Sequence, residues 1–252
     1  MHPMRLRLLV LLCTTLTATS LSAQEWATTC HASSSYDVTL KPSSILFDRP
    51  SPAPFHVEMQ RGTLRTDGTA VALNAEQQDR LTLFERELRA LAPRVRTVAQ
   101  HGLDMAVRAL KEETRGMSLG ADTRAELDRR LASHAATFKQ RIAASNSTHD
   151  WQSDVIDQYA NQIAADVLPL LANDLGQQAL DAAMRGDLQA AATLRDQATG
   201  LASGLRPRLE QRMQALQPQI AALCPAITRL ADLQQGVRGS NGQPLNLLHI
   251  GQ

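Results

Sequence analysis

The chain has 252 residues, with 26 Lys and Arg against 25 Asp and Glu, and only 3% of it is aromatic. That length can bury a sizeable core without a repeat array or a metal staple. Near-neutral charge and scarce aromatics exclude a nucleic-acid binder, which needs surplus cations for phosphates or rings on which bases stack.

The first 23 residues read as a secretory signal peptide. Basic Arg5 and Arg7 precede an apolar run from Leu8 to Leu12, followed by small and polar residues up to Ala23. The run is far shorter than the ~20 residues a spanning helix needs, and no later stretch is long and uncharged enough. Cleavage after Ala23 predicts a mature periplasmic protein starting at Gln24, with basic and acidic residues nearly equal once Arg5 and Arg7 are gone. Cys13 lies inside the apolar run behind Leu12, where lipid attachment would demand a small residue, so no lipid anchor is expected. Its removal leaves Cys30 and Cys224. Two thiols in an oxidising compartment pair, and their distance in sequence suits a structural clasp between the chain's ends better than a Cys-x-x-Cys redox site.

From Cys30 to Leu73, β-branched residues alternate with turn formers. Tyr36 to Leu40, Ile45 to Phe47 and Phe55 to Met59 read as short strands punctuated by Pro42, Pro50, Pro52 and Pro54. Asp67-Gly68, between Thr63–Thr66 and Thr69–Ala72, predicts a two-residue hairpin, because both residues tolerate the positive φ it requires. A helix is predicted from Asn74, a good N-cap with Gln77 in the capping-box position. Leu81, Phe84, Leu88, Leu91, Val95, Val98, Met105 and Ala109 continue it at three-four spacing broken only at Gly102, and at Pro93 the segment either kinks, as the unbroken phase of the stripe favours, or restarts as a second helix. A second helix carries Leu127, Leu131, Ala135, Phe138 and Ile142 and ends in the run Ser145 to Thr148. A third opens near Asp150 with Trp151, Val155, Tyr159, Ile163, Val167 and Leu171 on one face. Gly176 and Gly186 are expected to cut the following segment into shorter Ala-rich pieces. A second apolar seam runs from Leu205 through Leu209, Met213, Leu216, Ile220, Leu223 and Ile227 to Leu230, bent at Pro218 and Pro225. The tail from Leu245 to Ile250 is either a loose end or a returning edge strand.

These elements predict a mainly α fold with a small N-terminal antiparallel β region: a bent helical bundle, or coiled-coil-like helical hairpin, capped by the sheet. The expected divisions are a signal peptide (1–23), a β region (24–74), a helical region (75–235) and a C-terminal tail (236–252). Cys30, Asp37-Val38 with Leu40 and Pro42, Asp67-Gly68, Leu73-Asn74 with Gln77, and Glu87-Leu88-Arg89 with Pro93 form a pattern. In that order they resemble the YggN-like family of bacterial periplasmic proteins of unknown function, and Cys224 matches that family's late cysteine. The likeness is densest from Cys30 to about Leu110. It implies location, disulfide and architecture, and no catalytic or binding residues.

The mature chain's histidines, His31, His56, His101, His134, His149 and His249, fall into no recognisable ligand spacing, so no metal and no cofactor are expected. No Gly-rich phosphate loop, Gly-x-Ser-x-Gly elbow or Ser-x-x-Lys pattern is present. His101 with Asp104, and His134 with Arg130, share helical faces. The carboxylate pairs Glu112-Glu113 and Glu85 with Glu87 read as solvated helix faces. Trp151 is either core or an interface anchor. Without catalytic residues, the leading expectation is a non-enzymatic envelope module that engages a protein or peptide along a helical groove. The alternative is a hydrolase or metal-dependent enzyme whose site assembles from dispersed His and carboxylates on folding. Membrane-surface association ranks last, because no helix has a basic face.

Overall fold

A computed structural model describes residues 29–251, except the side chains of Ser153 and of residues 201–206 and 208–210. The signal-peptide reading of residues 1–23 and the start at Gln24 lie outside the described residues, as do the side chains of Leu205 and Leu209.

The chain is mainly α, with a small antiparallel sheet before the first long helix. Strands β1 (Ala32–Ser33), β2 (Asp37–Leu40), β3 (Ile45–Asp48), β4 (His56–Gln60), β5 (Thr63–Thr66) and β6 (Thr69–Ala70) follow one another, and β2 to β6 form a five-stranded meander in sequence order. Period-two alternation gives the meander one apolar face. Ile45 pairs with Met59, Phe47 with Val57, and Met59 with Leu64, and all five side chains are buried. Asp67 and Gly68 form the β5–β6 turn with φ of 47° and 79°, as a two-residue hairpin requires.

Helix α1 (Ala75–Arg115) spans 41 residues, about 60 Å at 1.5 Å per residue. Its start is the predicted capping box: Gln77 N donates to Asn74 Oδ1 at 2.8 Å, and Asn74 N donates to Gln77 Oε1 at 3.1 Å. The helix runs through Pro93, whose solvent-facing ring sits between the buried Leu91 and Val98. The core contacts on both sides outweigh the one helical hydrogen bond that proline removes. Gly102 also stays within α1. A Cβ there would come 3.0 Å from Leu216 Cδ1, so the missing side chain permits close helix approach.

Helix α2 (Ala121–Ala144) returns antiparallel to α1, and a 3-10 turn (Thr148–Trp151) leads into α3 (Ser153–Met184). The loop from Ser145 to Thr148 covers the outer edge of β2: Leu40 N donates to Asn146 O at 2.7 Å and Val38 N to Thr148 Oγ1 at 2.8 Å. Helix α3 corrects one expectation, since it passes through Gly176 without a break. A glycine costs a helix roughly 1 kcal/mol, less than the burial of Leu171 and Leu175 returns. Gly186, at φ 82°, does end the segment, and α4 (Leu188–Met213) follows after an Asp187 N-cap.

The second seam is not one bent helix. After a 3-10 turn (Gln214–Leu216) the chain restarts as α5 (Gln217–Ala221) and again as α6 (Cys224–Leu233), with Pro218 and Pro225 in the first turn of each. There a proline lacks only an N–H that has no helical acceptor, so it opens a helix instead of bending one. The tail returns as β7 (His249–Ile250), paired with β1, while Leu245 and Leu247 are buried in the core.

Two apolar cores lie along α1. The first joins the sheet, the front of α1, α5, α6 and the tail through Phe47, Phe84, Leu91, Leu216, Ile220 and Leu247. The second joins the far end of α1 to α2, α3 and α4 through Leu127, Leu131, Val167, Leu171 and Leu175. Both predicted seams are therefore consumed within the chain wherever their side chains are described. Cys30 and Cys224 bond beside the first core, with Cα atoms 5.1 Å apart, a normal disulfide separation.

Candidate functional site

Where the two cores meet on α1, a cleft of about 610 Å³ opens. His101, Asp104, Met105, Arg108 and Lys111 recur at three-four spacing, so α1 presents them as one stripe, joined by Val107 and by Gln219 of α5. Junctions between packed units are where ligand clefts concentrate, and this volume lies in their usual range.

The charges in the cleft are unevenly satisfied. Lys139 of α2 holds Asp104 at 2.7 Å, and Asp128 of α2 holds Lys111 at 2.7 Å. His101 Nδ1 meets Gln219 Oε1 at 2.8 Å, an exposed contact that ties α1 to α5. The Arg108 side chain has no hydrogen bond or ion pair among the described residues. This exposed guanidinium, near Met105 and Val107 on the same helix, can donate a fork of two hydrogen bonds to a carboxylate.

A second polar group joins α2 to α3. Arg130 NH1 donates to Asp166 Oδ1 and to the Asp166 carbonyl, both at 2.7 Å, and its Nε donates to Glu126 at 2.5 Å. His134 Nε2 meets Asp166 Oδ2 at 2.8 Å. Hydrogen bonding from His134, reinforced by the Arg130 charge, holds the Asp166 carboxyl below its ordinary value of 3.8 despite opposing desolvation. Tyr159 of α3 donates its hydroxyl to His134 O at 2.7 Å and stacks on Phe138 at 4.6 Å between ring centroids. Burial pushes this phenol's pKa up, against the nearby Arg141 charge. The group is a latch between helices: Asp166 of α3 gathers Arg130 and His134 of α2 onto one carboxylate.

The histidines do not converge. His56 pairs with Asp48, His149 lies 3.7 Å from Asp37, and His31 and His249 lie near and on the β1–β7 pair. Among the described residues no three His, Cys, Asp or Glu side chains are placed to hold a metal. The solvated-face reading of Glu85 is corrected. Its side chain is buried, and its carboxylate accepts from Arg61 N at 3.2 Å and Gly62 N at 3.0 Å, capping the β4–β5 turn. Glu112 instead faces Arg212 across the helices. Trp151 is half-buried, donating to Ser145 Oγ at 2.7 Å with its ring edge against Phe138. Asp166 and Gln219 were not singled out from sequence, because each meets its partner across at least 32 residues.

No helix among the described residues is long and apolar enough to cross a membrane. No curated protein and no solved structure matches the chain. A family model described as a protein of unknown function, DUF2884, matches residues 30–247, from the first bonded cysteine to the last buried leucine of the tail. The chain thus belongs to the DUF2884 family of proteins of unknown function.

Proposed function

We propose that this chain is an exported, non-enzymatic binding module of the bacterial periplasm that takes a carboxylate-bearing peptide or protein segment into the α1 cleft. In this reading residues 1–23 direct export and are removed, and residues 24–74, 75–235 and 236–252 form the mature β region, helical region and tail. The pairing of Cys30 with Cys224 and the resemblance to YggN-like proteins support the compartment. The observation that carries the binding reading is Arg108. It is a cation without a partner among the described residues, set in a cleft whose other acid and ammonium are already neutralised from α2. Charge of one sign in a partly apolar cleft selects an opposite charge attached to apolar surface.

Panning a random dodecapeptide library on the mature chain tests this. Retained peptides should be rich in Asp and Glu, and Arg108→Glu should weaken them about tenfold or more, the usual cost of turning a charge-assisted pair into a repulsive one. Peptides that bind the Arg108→Glu variant equally well would refute the reading. Recovery of mature material that still carries residues 1–23 would refute the compartment.

A further inference from the structure

Helix α3 outruns the rest of the bundle. Asp174 accepts from Gly120 N and Thr123 Oγ1, both at 2.9 Å, which pins α3 to the start of α2. The ten residues after Asp174, up to Met184, then carry α3 about 15 Å further. Helix α4 starts out there and rejoins the second core at Leu194 and Ala198. The result is a two-helix projection turned by Arg185, Gly186 and Asp187.

Its tip is apolar and uncovered. Leu180, Met184 and Leu188 are 62%, 78% and 72% exposed, the largest exposures among the large apolar side chains described. Scattered surface leucines need no explanation, but Leu180 and Met184, one helical turn apart at the end of a projection with Leu188 just beyond the turn, form a candidate contact site. Ala182 is buried against α4, so at 100° per residue Leu180 and Met184 point directly away from α4. Asp181 and Arg185 lie together on one flank of that apolar stripe. They are opposite charges one helical turn apart, yet they form no ion pair with each other. Neither side chain has a hydrogen-bond or ion-pair partner among the described residues.

We propose that the hairpin tip docks on the tip of a second copy of this chain, Leu180 and Met184 of each packing on the other, with Asp181 of one paired to Arg185 of its partner. A two-fold contact requires a patch that complements itself. An axis beside Ala183, perpendicular to two antiparallel α3 helices, keeps the charged flank on the same side in both copies. It places each Asp181 opposite an Arg185, so both ion pairs form at once. The tip carries Asp181, Arg185 and Asp187, a net charge of −1, which disfavours an anionic membrane. The patch is small, at the low end of specific interfaces, so the dimer is weak and its Kd lies in the order of micromolar.

Sedimentation equilibrium on the disulfide-bonded mature chain tests this by charge reversal at exposed positions. The natural chain should show a concentration-dependent dimer. Asp181→Arg alone and Arg185→Asp alone should each weaken it at least tenfold, and the two together should restore it to within about threefold. Leu180→Ser with Met184→Ser should leave monomer only, with unchanged circular dichroism. A natural chain that stays monomeric at millimolar concentration, or a double reversal that fails to restore dimer, overturns the proposal. So does a monomer that floats with phosphatidylethanolamine–phosphatidylglycerol vesicles through the same three apolar residues.

Discussion

Glu85 shows how one buried carboxylate can organise two elements. From within α1 its side chain accepts from the Arg61 and Gly62 amides, at a turn where both residues hold positive φ. Glu85→Ala should lower the unfolding free energy by about 1–3 kcal/mol, the cost of leaving buried donors without acceptors, as read by urea titration. Gly62→Ala should be comparably damaging, at about 2 kcal/mol. A Cβ there would meet Thr82 Oγ1 at 2.6 Å and the Gln78 carbonyl at 2.8 Å, in a conformation that side chains resist. Asp166 makes a prediction in pH. Its pKa is lowered in the folded chain, so its contribution is fully present above the unfolded-state value and fades as pH falls through the folded value. Stability of the natural chain and of Asp166→Asn should therefore converge in strong acid and separate above about pH 4. Curves that stay parallel across that window would show that the latch adds no linkage.

At the scale of elements, the disulfide joins the short β1–β7 pair to the start of α6, closing a sequence separation of 194 residues. Cys30→Ser with Cys224→Ser should destabilise the chain by about 3–5 kcal/mol in the loop-entropy account, measured as a lower urea midpoint with a steeper slope, because the uncrosslinked unfolded chain exposes more surface. Hydrogen exchange should accelerate first at Gly251, whose amide donates to His31 O at 2.6 Å and depends on that clasp. Helix α1 illustrates a different balance. Pro93 and Gly102 are poor helix residues, yet both stay within one helix, because Leu91 and Val98 are held by the sheet side and Gly102 lets Leu216 approach. In α3 burial likewise keeps Gly176 helical, whereas beyond α4 the prolines fall at first turns and divide the seam into α5 and α6.

For the whole molecule, the informative fact is that α1 passes through both cores. The two cores therefore share one rigid strut, and unfolding should be a single transition even though their buried side chains scarcely mix. Leu171→Ala, in the second core and fully buried, should cost about 2–5 kcal/mol. It should lower the midpoint equally for tryptophan fluorescence and far-ultraviolet circular dichroism. Two separated midpoints would mean that the cores are independent units. The same arrangement puts the Arg108 cleft at the junction and leaves the α3–α4 tip projecting, so the proposed ligand and the proposed second copy would engage surfaces that do not compete.

The sequence by itself determined what depends on near neighbours. β-Branched residues between turn formers marked the strands at Ile45 to Phe47 and Phe55 to Met59, Asp67-Gly68 marked the hairpin, and Asn74 with Gln77 marked the start of α1. Each signal acts within a few residues. Tertiary structure decided the rest: the burial of Glu85, the union of Arg130 and His134 on Asp166, the isolation of Arg108, and the bare tip at Leu180, Met184 and Leu188. These depend on which surfaces meet across tens of residues, where burial and packing outweigh local preference by more than the roughly 1 kcal/mol that a single residue's propensity supplies.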